Sequence, residues 1–181
     1  MGHHEEPDAG NLYRLDARSV DGTIADPVVI VAHTTVSNGI DWSPDTRTMY
    51  YVDSATQRVD AFDYDVDTGT PTRRRPFVEV PAEEGCPDGL TVDAQGCVWV
   101  ALWDGGQVRR YDPDSQLVGV VSVPVRRVTS CAFGGPDLDV LYITTARRWL
   151  DDAALAADPD SGAIFGCRPG VAGRPVTRYD G

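Results

Sequence analysis

Short apolar stretches rich in β-branched and aromatic residues recur along the chain, at residues 28–32, 49–52, 59–64, 77–80, 98–101, 108–111, 118–123 and 140–144. Clusters of Gly, Pro, Asp and Asn separate them. Runs of this length and composition predict strands, and their even punctuation predicts an all-β protein. One helix is predicted, over residues 149–157, with Asp151 or Asp152 as its cap and Pro159 as its stop. It reads as a loop insertion.

An internal repeat organises the strands. Ser37-Asn38-Gly39-Ile40-Asp41-Trp42 is answered by Pro87-Asp88-Gly89-Leu90-Thr91-Val92, with Gly39 and Gly89 fifty positions apart. After each come a turn, a strand (residues 49–52, then 98–101) and a third strand ending in aromatic-Asp (residues 58–63, then 107–112). A looser third copy begins at Thr129-Ser130-Cys131 and closes at Gly162-Ala163-Ile164-Phe165, while residues 10–16 match only the third-strand element. Units of four short strands at a period of roughly 40 to 50 residues predict β-propeller blades. Residues 1–181 are therefore expected to form a single partial propeller domain of about three blades plus part of a fourth, with the N-terminal blades absent and the open edges available for self-association.

Charge narrows the partners. With 16 basic against 28 acidic residues the net charge is -12, so nucleic acid and anionic membrane are unfavourable partners and a cation is a natural one. The runs Arg73-Arg74-Arg75, Arg109-Arg110 and Arg126-Arg127 read as solvated faces. Cys86, Cys97, Cys131 and Cys167 show no C-x-x-C spacing and read as reduced and mostly buried, which favours a cytoplasmic setting. No apolar run approaches a membrane span, and residues 1–10 lack the apolar stretch of a signal peptide. Serine-hydrolase, zincin, Walker and dinucleotide-binding patterns are missing too.

The repeat motifs, together with Tyr51-Val52-Asp53-Ser54, residues 59–65, residues 102–108 and Thr129-Ser130-Cys131-Ala132-Phe133-Gly134-Gly135, resemble the senescence marker protein (regucalcin), gluconolactonase and luciferin-regenerating-enzyme family. The resemblance runs over nearly the whole chain and implies a six-bladed propeller of which this is the C-terminal part. It implies a divalent cation on the propeller axis, calcium first and zinc, manganese or magnesium as alternatives. Asn38 and Asp88 match the family's asparagine and aspartate ligands. The family's third ligand, a glutamate near the N-terminus, has no counterpart here, and neither do its early substrate-contacting arginine and asparagine. Met1 matches an internal methionine of relatives. In those relatives an acidic residue of the following loop reaches the substrate, a role open to Glu5 or Glu6.

Read from the residues, Asn38 and Asp88 each precede a glycine at the start of the first strand of a repeat, so equivalent positions on neighbouring units would converge. Amide and carboxylate oxygens suit a hard cation such as calcium or magnesium, although two donors are too few for a closed site. A purely structural alternative stands beside this: Asn-Gly is a hairpin signal and Pro-Asp-Gly a β-turn signal. If the site is complete, the chemistry is hydrolysis of a sugar lactone to the aldonic acid, with Asp88 as general base. The competing reading is a non-catalytic calcium-binding or ligand-binding propeller; a third is an inactive fragment. The His3, His4, Glu5 and Glu6 cluster reads as a mobile tail, His33 as a surface histidine, and Trp42, Trp99, Trp103 and Trp149 as packing residues, with Trp103 near the channel rim.

Overall fold

The protein is described by a computed structural model covering residues 6–15 and 26–176. In chain order the strands are β1 (Gly10–Arg14), β2 (Val28–Thr34), β3 (Ser37–Trp42), β4 (Thr48–Asp53), β5 (Arg58–Asp65), β6 (Thr70–Glu79), β7 (Cys86–Val92), β8 (Val98–Trp103), β9 (Gln107–Tyr111), β10 (Leu117–Ser122), β11 (Val128–Gly134), β12 (Val140–Thr145) and β13 (Ile164–Cys167). Among the described residues one α-helix, α1 (Asp152–Ala157), interrupts the last hairpin. Every strand pairs antiparallel with its sequence neighbour, giving sheets β1-β2, β3-β4-β5-β6, β7-β8-β9-β10 and β11-β12-β13. Each is an up-and-down meander, as short strands joined by tight turns require.

The sheets stack face to face because strand alternation puts one apolar row on each face. Val31 of β2 packs with Met49, Tyr51 and Phe62 of the next sheet. The opposite face of that sheet offers Tyr50, Val52, Val59 and Ala61 to Leu90, Val98, Val100 and Leu102. Trp99, Ala101 and Val108 then meet Val128, Cys131, Leu141 and Ile143. Strands β8 and β4, buried on both faces, read as nearly continuous apolar runs for this reason.

Several expectations need correction. Strand β6 begins at Thr70, well before the residues 77–80 read from the sequence, because Pro71 and Pro76 are tolerated on an outermost strand that has no further neighbour to bond. The helix is shorter than predicted: Trp149 has φ 63, and Asp151 supplies the cap by accepting from Ala154 N–H at 2.8 Å. The arginine runs are not solvated faces throughout. Arg74 reaches the fully buried Asp60 at 2.6 Å, Arg110 reaches the fully buried Asp93 at 2.8 Å, and Arg109 and Arg127 pair with Glu84 and Asp104. Each of these side chains is mostly covered and lies against a carboxylate that neutralises it. Trp149 is half-exposed rather than core, its edge against Trp103.

Asp93 is the best-connected of these carboxylates. It accepts from Gln95 N–H at 2.9 Å, Cys97 N–H at 3.0 Å and Trp99 Nε1 at 2.9 Å, in addition to Arg110. Asp93→Ala is expected to cost about 3 to 5 kcal/mol, since it strands a mostly buried guanidinium and three N–H donors. Urea denaturation of the variant measures it.

Candidate metal centre

Asn38 and Asp88 sit at equivalent places on β3 and β7, the first strands of adjacent sheets, which pack against each other. Both strands carry a bulge there. Between the pairs Ser37/Asp53 and Ile40/Tyr51, three steps along β3 oppose two along β4, and the same mismatch separates Pro87/Leu102 from Leu90/Val100. An extra residue in an otherwise regular ladder leaves its own position unpaired and re-aims its side chain.

The glycine after each ligand candidate explains how the strands come close. A Cβ on Gly39 would lie 2.6 Å from Leu90 N and 2.8 Å from Asp88 O; one on Gly89 would lie 2.2 Å from Ser130 Oγ. Neither glycine has a positive φ, and both lie inside strands. The hairpin and β-turn readings of Asn38-Gly39 and Pro87-Asp88-Gly89 are thereby replaced: these glycines serve close approach between strands.

The Asn38 amide lies close enough to the Asp88 carboxylate to lower its pKa, so residues fifty positions apart meet. Asn38 Nδ2 also donates to Ser54 Oγ at 3.0 Å, and Ser54 Oγ donates to Pro87 O at 2.7 Å. Ser54 is fully buried and ties both strands together at the ligand positions. Asp53 holds the loop entering β3, accepting from Thr35 N–H at 3.0 Å and Val36 N–H at 2.8 Å. The motif Tyr51-Val52-Asp53-Ser54 does not by itself assign these roles; its signal is a carboxylate and a hydroxyl together at a strand end.

Asp88 is 8% exposed, and burial raises its pKa from 3.8 to about 6, partly offset by its hydrogen bonds from Asn38 and from Gly89 N–H. Desolvation penalises the charged form, and among the described residues no basic side chain counters it. A buried carboxylate lacking a cationic partner, beside an amide whose NH2 is engaged and whose oxygen is left over, fits a hard divalent cation as far as two donors can. Among the described residues no group of three His, Cys, Asp or Glu side chains gathers as a metal site.

Glu6 is exposed on a turn anchored by Asp8 N–H donating to Thr35 Oγ1 at 3.1 Å, three residues ahead of Asn38. Glu5, with His3 and His4, lies outside the described residues. His33 is exposed, at φ 61. A cavity of about 290 Å³ opens beside Ser54 and Cys86, with Trp103 and Asp104 on its wall. Arg127 covers the Trp103 ring at 5.0 Å. A larger cavity, about 420 Å³, lies at the far ends of β3 and β7, where Arg174 pairs with Asp41 at 3.1 Å; it is remote from Asp88 and plays no part in this site.

Repeated antiparallel meanders with oxygen donors paired across their first strands define the class: an all-β protein whose candidate site lies between sheets rather than within one. The chain belongs to the family described as the SMP-30/Gluconolactonase/LRE-like region, whose model matches residues 1–147. It is 44% identical to regucalcin of Bos taurus over 148 residues, 81% of this chain and 50% of that protein. Regucalcin of Danio rerio is 45% identical over the same shares. Among solved structures it is similar to a calcium-binding protein, regucalcin, of Agrobacterium tumefaciens, with TM-score 0.86 and 35% identity over 99% of this chain and 59% of that one. A luciferin-regenerating enzyme gives TM-score 0.80 and 35% identity over 93% and 54%. The chain spans about half the length of the curated relatives it matches. Among the described residues no helix is long and apolar enough to cross a membrane.

Proposed function

We propose that this chain carries one side of the divalent-cation centre of a lactonase acting on sugar lactones, with Asn38 and Asp88 as ligands and Asp88 as the proton acceptor. The observation that carries this reading is the buried Asp88 carboxylate, beside the Asn38 amide and opposed by no basic group among the described residues. The meanders are read as blades of a propeller, which places the first strands around a common axis. Its proposed compartment is the cytoplasm, in keeping with the buried cysteines Cys97 and Cys131. The apolar faces bearing Tyr142 and Ile164 at one end, and Tyr13 and Val29 at the other, are where further sheets or a second copy would dock.

Calcium, or zinc, manganese or magnesium in its place, would supply polarisation of the lactone carbonyl and stabilise the developing oxyanion. The protein's own part is proton handling and orientation. Ser54 fixes the Asn38 amide, leaving its oxygen available to the cation. Through one carboxylate oxygen Asp88 takes a proton from the water that adds to the carbonyl carbon, the other oxygen being the one that would hold the cation. The ring C–O bond then breaks, the proton passes to the departing alkoxide, and the hydroxy acid is released.

A non-catalytic calcium-binding protein is the second reading, favoured by the likeness to the Agrobacterium protein described as calcium-binding. Gluconolactone hydrolysis, followed with a pH indicator in the presence of calcium, manganese or zinc, separates the two. Turnover that EDTA abolishes and Asp88→Ala removes is the expected result. Calcium binding by calorimetry without turnover establishes the second reading instead.

A further inference from the structure

The third sheet repeats the bulge found in the first two. Between the pairs Val128/Thr145 and Ser130/Thr144, two steps along β11 oppose one along β12, so an extra residue again enters the first strand. That residue is Thr129, at the register position that carries Asn38 in β3 and Asp88 in β7. Its neighbour Ser130 packs directly on Gly89, the residue after Asp88, at a separation that leaves no room for a Cβ. Three consecutive first strands thus present an amide, a carboxylate and a hydroxyl in one phase.

Thr129 Oγ1 lies 2.7 Å from Thr144 Oγ1, and Thr144 Oγ1 in turn donates to Ser130 O at 3.4 Å. Whichever hydroxyl donates across the 2.7 Å contact, Thr129 Oγ1 uses at most one of its two lone pairs there. Thr129 then retains an unused lone pair and offers an acceptor. A neutral acceptor adds little to the binding of a hard cation beside a carboxylate, but it matches the O–H donors of a polyhydroxylated ligand.

Resting on the lactonase reading for the identity of the ligand, we infer that Thr129 is a specificity-determining residue: its hydroxyl oxygen accepts a hydrogen bond from a ligand hydroxyl and selects hydroxylated, sugar-derived lactones over plain ones. Thr129→Val keeps the shape and deletes the acceptor, while Thr129→Ser keeps it. The test compares gluconolactone with δ-valerolactone in turnover, and gluconate with hexanoate in calorimetric binding, each with calcium present and with near-ultraviolet circular dichroism as the check on folding. Losing one neutral hydrogen bond predicts that T129V weakens gluconate binding about five- to tenfold, and lowers kcat/KM for gluconolactone alike. Hexanoate and δ-valerolactone remain unchanged, and T129S behaves as wild type. Equal gluconate affinity in T129V and wild type overturns the inference, as does an equal loss for the plain ligands or a wild type that does not distinguish gluconate from hexanoate. Absence of turnover with either lactone, while T129V still loses gluconate selectively, sinks hydrolysis and leaves the role of Thr129 standing.

Discussion

Replacing Asp88 by Asn is expected to abolish divalent-cation binding and, in the cation-free protein, to raise stability at pH 8 by up to about 3 kcal/mol. The second effect follows from the sign of the pKa shift. A carboxylate whose pKa is raised from 3.8 to about 6 on folding binds its proton more tightly in the native state. Below pH 3.8 both states are protonated and the site costs nothing. As pH rises through the window up to about 6, the unfolded state ionises first, and native stability falls until Asp88 itself is ionised; above that the whole penalty is present. Asn keeps an acceptor for Gly89 N–H and removes the charge. Urea titrations with EDTA at pH 4 and pH 8 check this: the variant should gain at pH 8 and show little gain at pH 4. Equal stability of the two proteins at pH 8 would mean that Asp88 is not a strained carboxylate waiting for a cation. Conversely, calcium should stabilise the wild type and leave the variant untouched.

Gly89→Ala is expected to destabilise the fold by about 3 kcal/mol and to weaken cation binding at the same time. The new methyl would meet Ser130 at 2.2 Å from Oγ, 2.6 Å from Cβ and 2.8 Å from Cα. Rotation of the Ser130 side chain relieves only the first contact, so β7 and β11 must move apart. Because Asp88 is the adjacent residue, that movement reaches the cation site directly. Adding Ser130→Gly removes Oγ and Cβ but not Cα, and should restore roughly half of the lost stability; a double-mutant cycle in urea measures the coupling. If Gly89→Ala and Gly89→Ala with Ser130→Gly prove equally stable, the close approach is not what the glycine provides.

Local signals in the chain carried much of this. Strand positions such as 98–101 and 108–111 were legible because β-branched and aromatic residues between turn formers have one local solution. The α1 cap at Asp151 was legible for the same reason. The repeat put Asn38 and Asp88 in one phase, and phase is a property of sequence spacing. Strand β6 was half missed because proline is judged by its own backbone, whereas its cost depends on whether a further strand needs its N–H. The arginine runs were misread because the carboxylates that draw Arg74 and Arg110 inward, Asp60 and Asp93, are 14 and 17 residues away.

What the sequence by itself determined was the set of strands, their order as meanders, and the recurrence of one oxygen-bearing residue before a glycine. Tertiary structure decided what that glycine is for, that Ser54 and Asp53 hold the ligand strands, and that Asp88 is buried with no counter-charge among the described residues. The division has a physical cause. Turn and strand preferences are set by atoms within a few residues, but the separation of β3, β7 and β11 and the desolvation of Asp88 depend on how whole sheets stack, and only the packed chain contains that information.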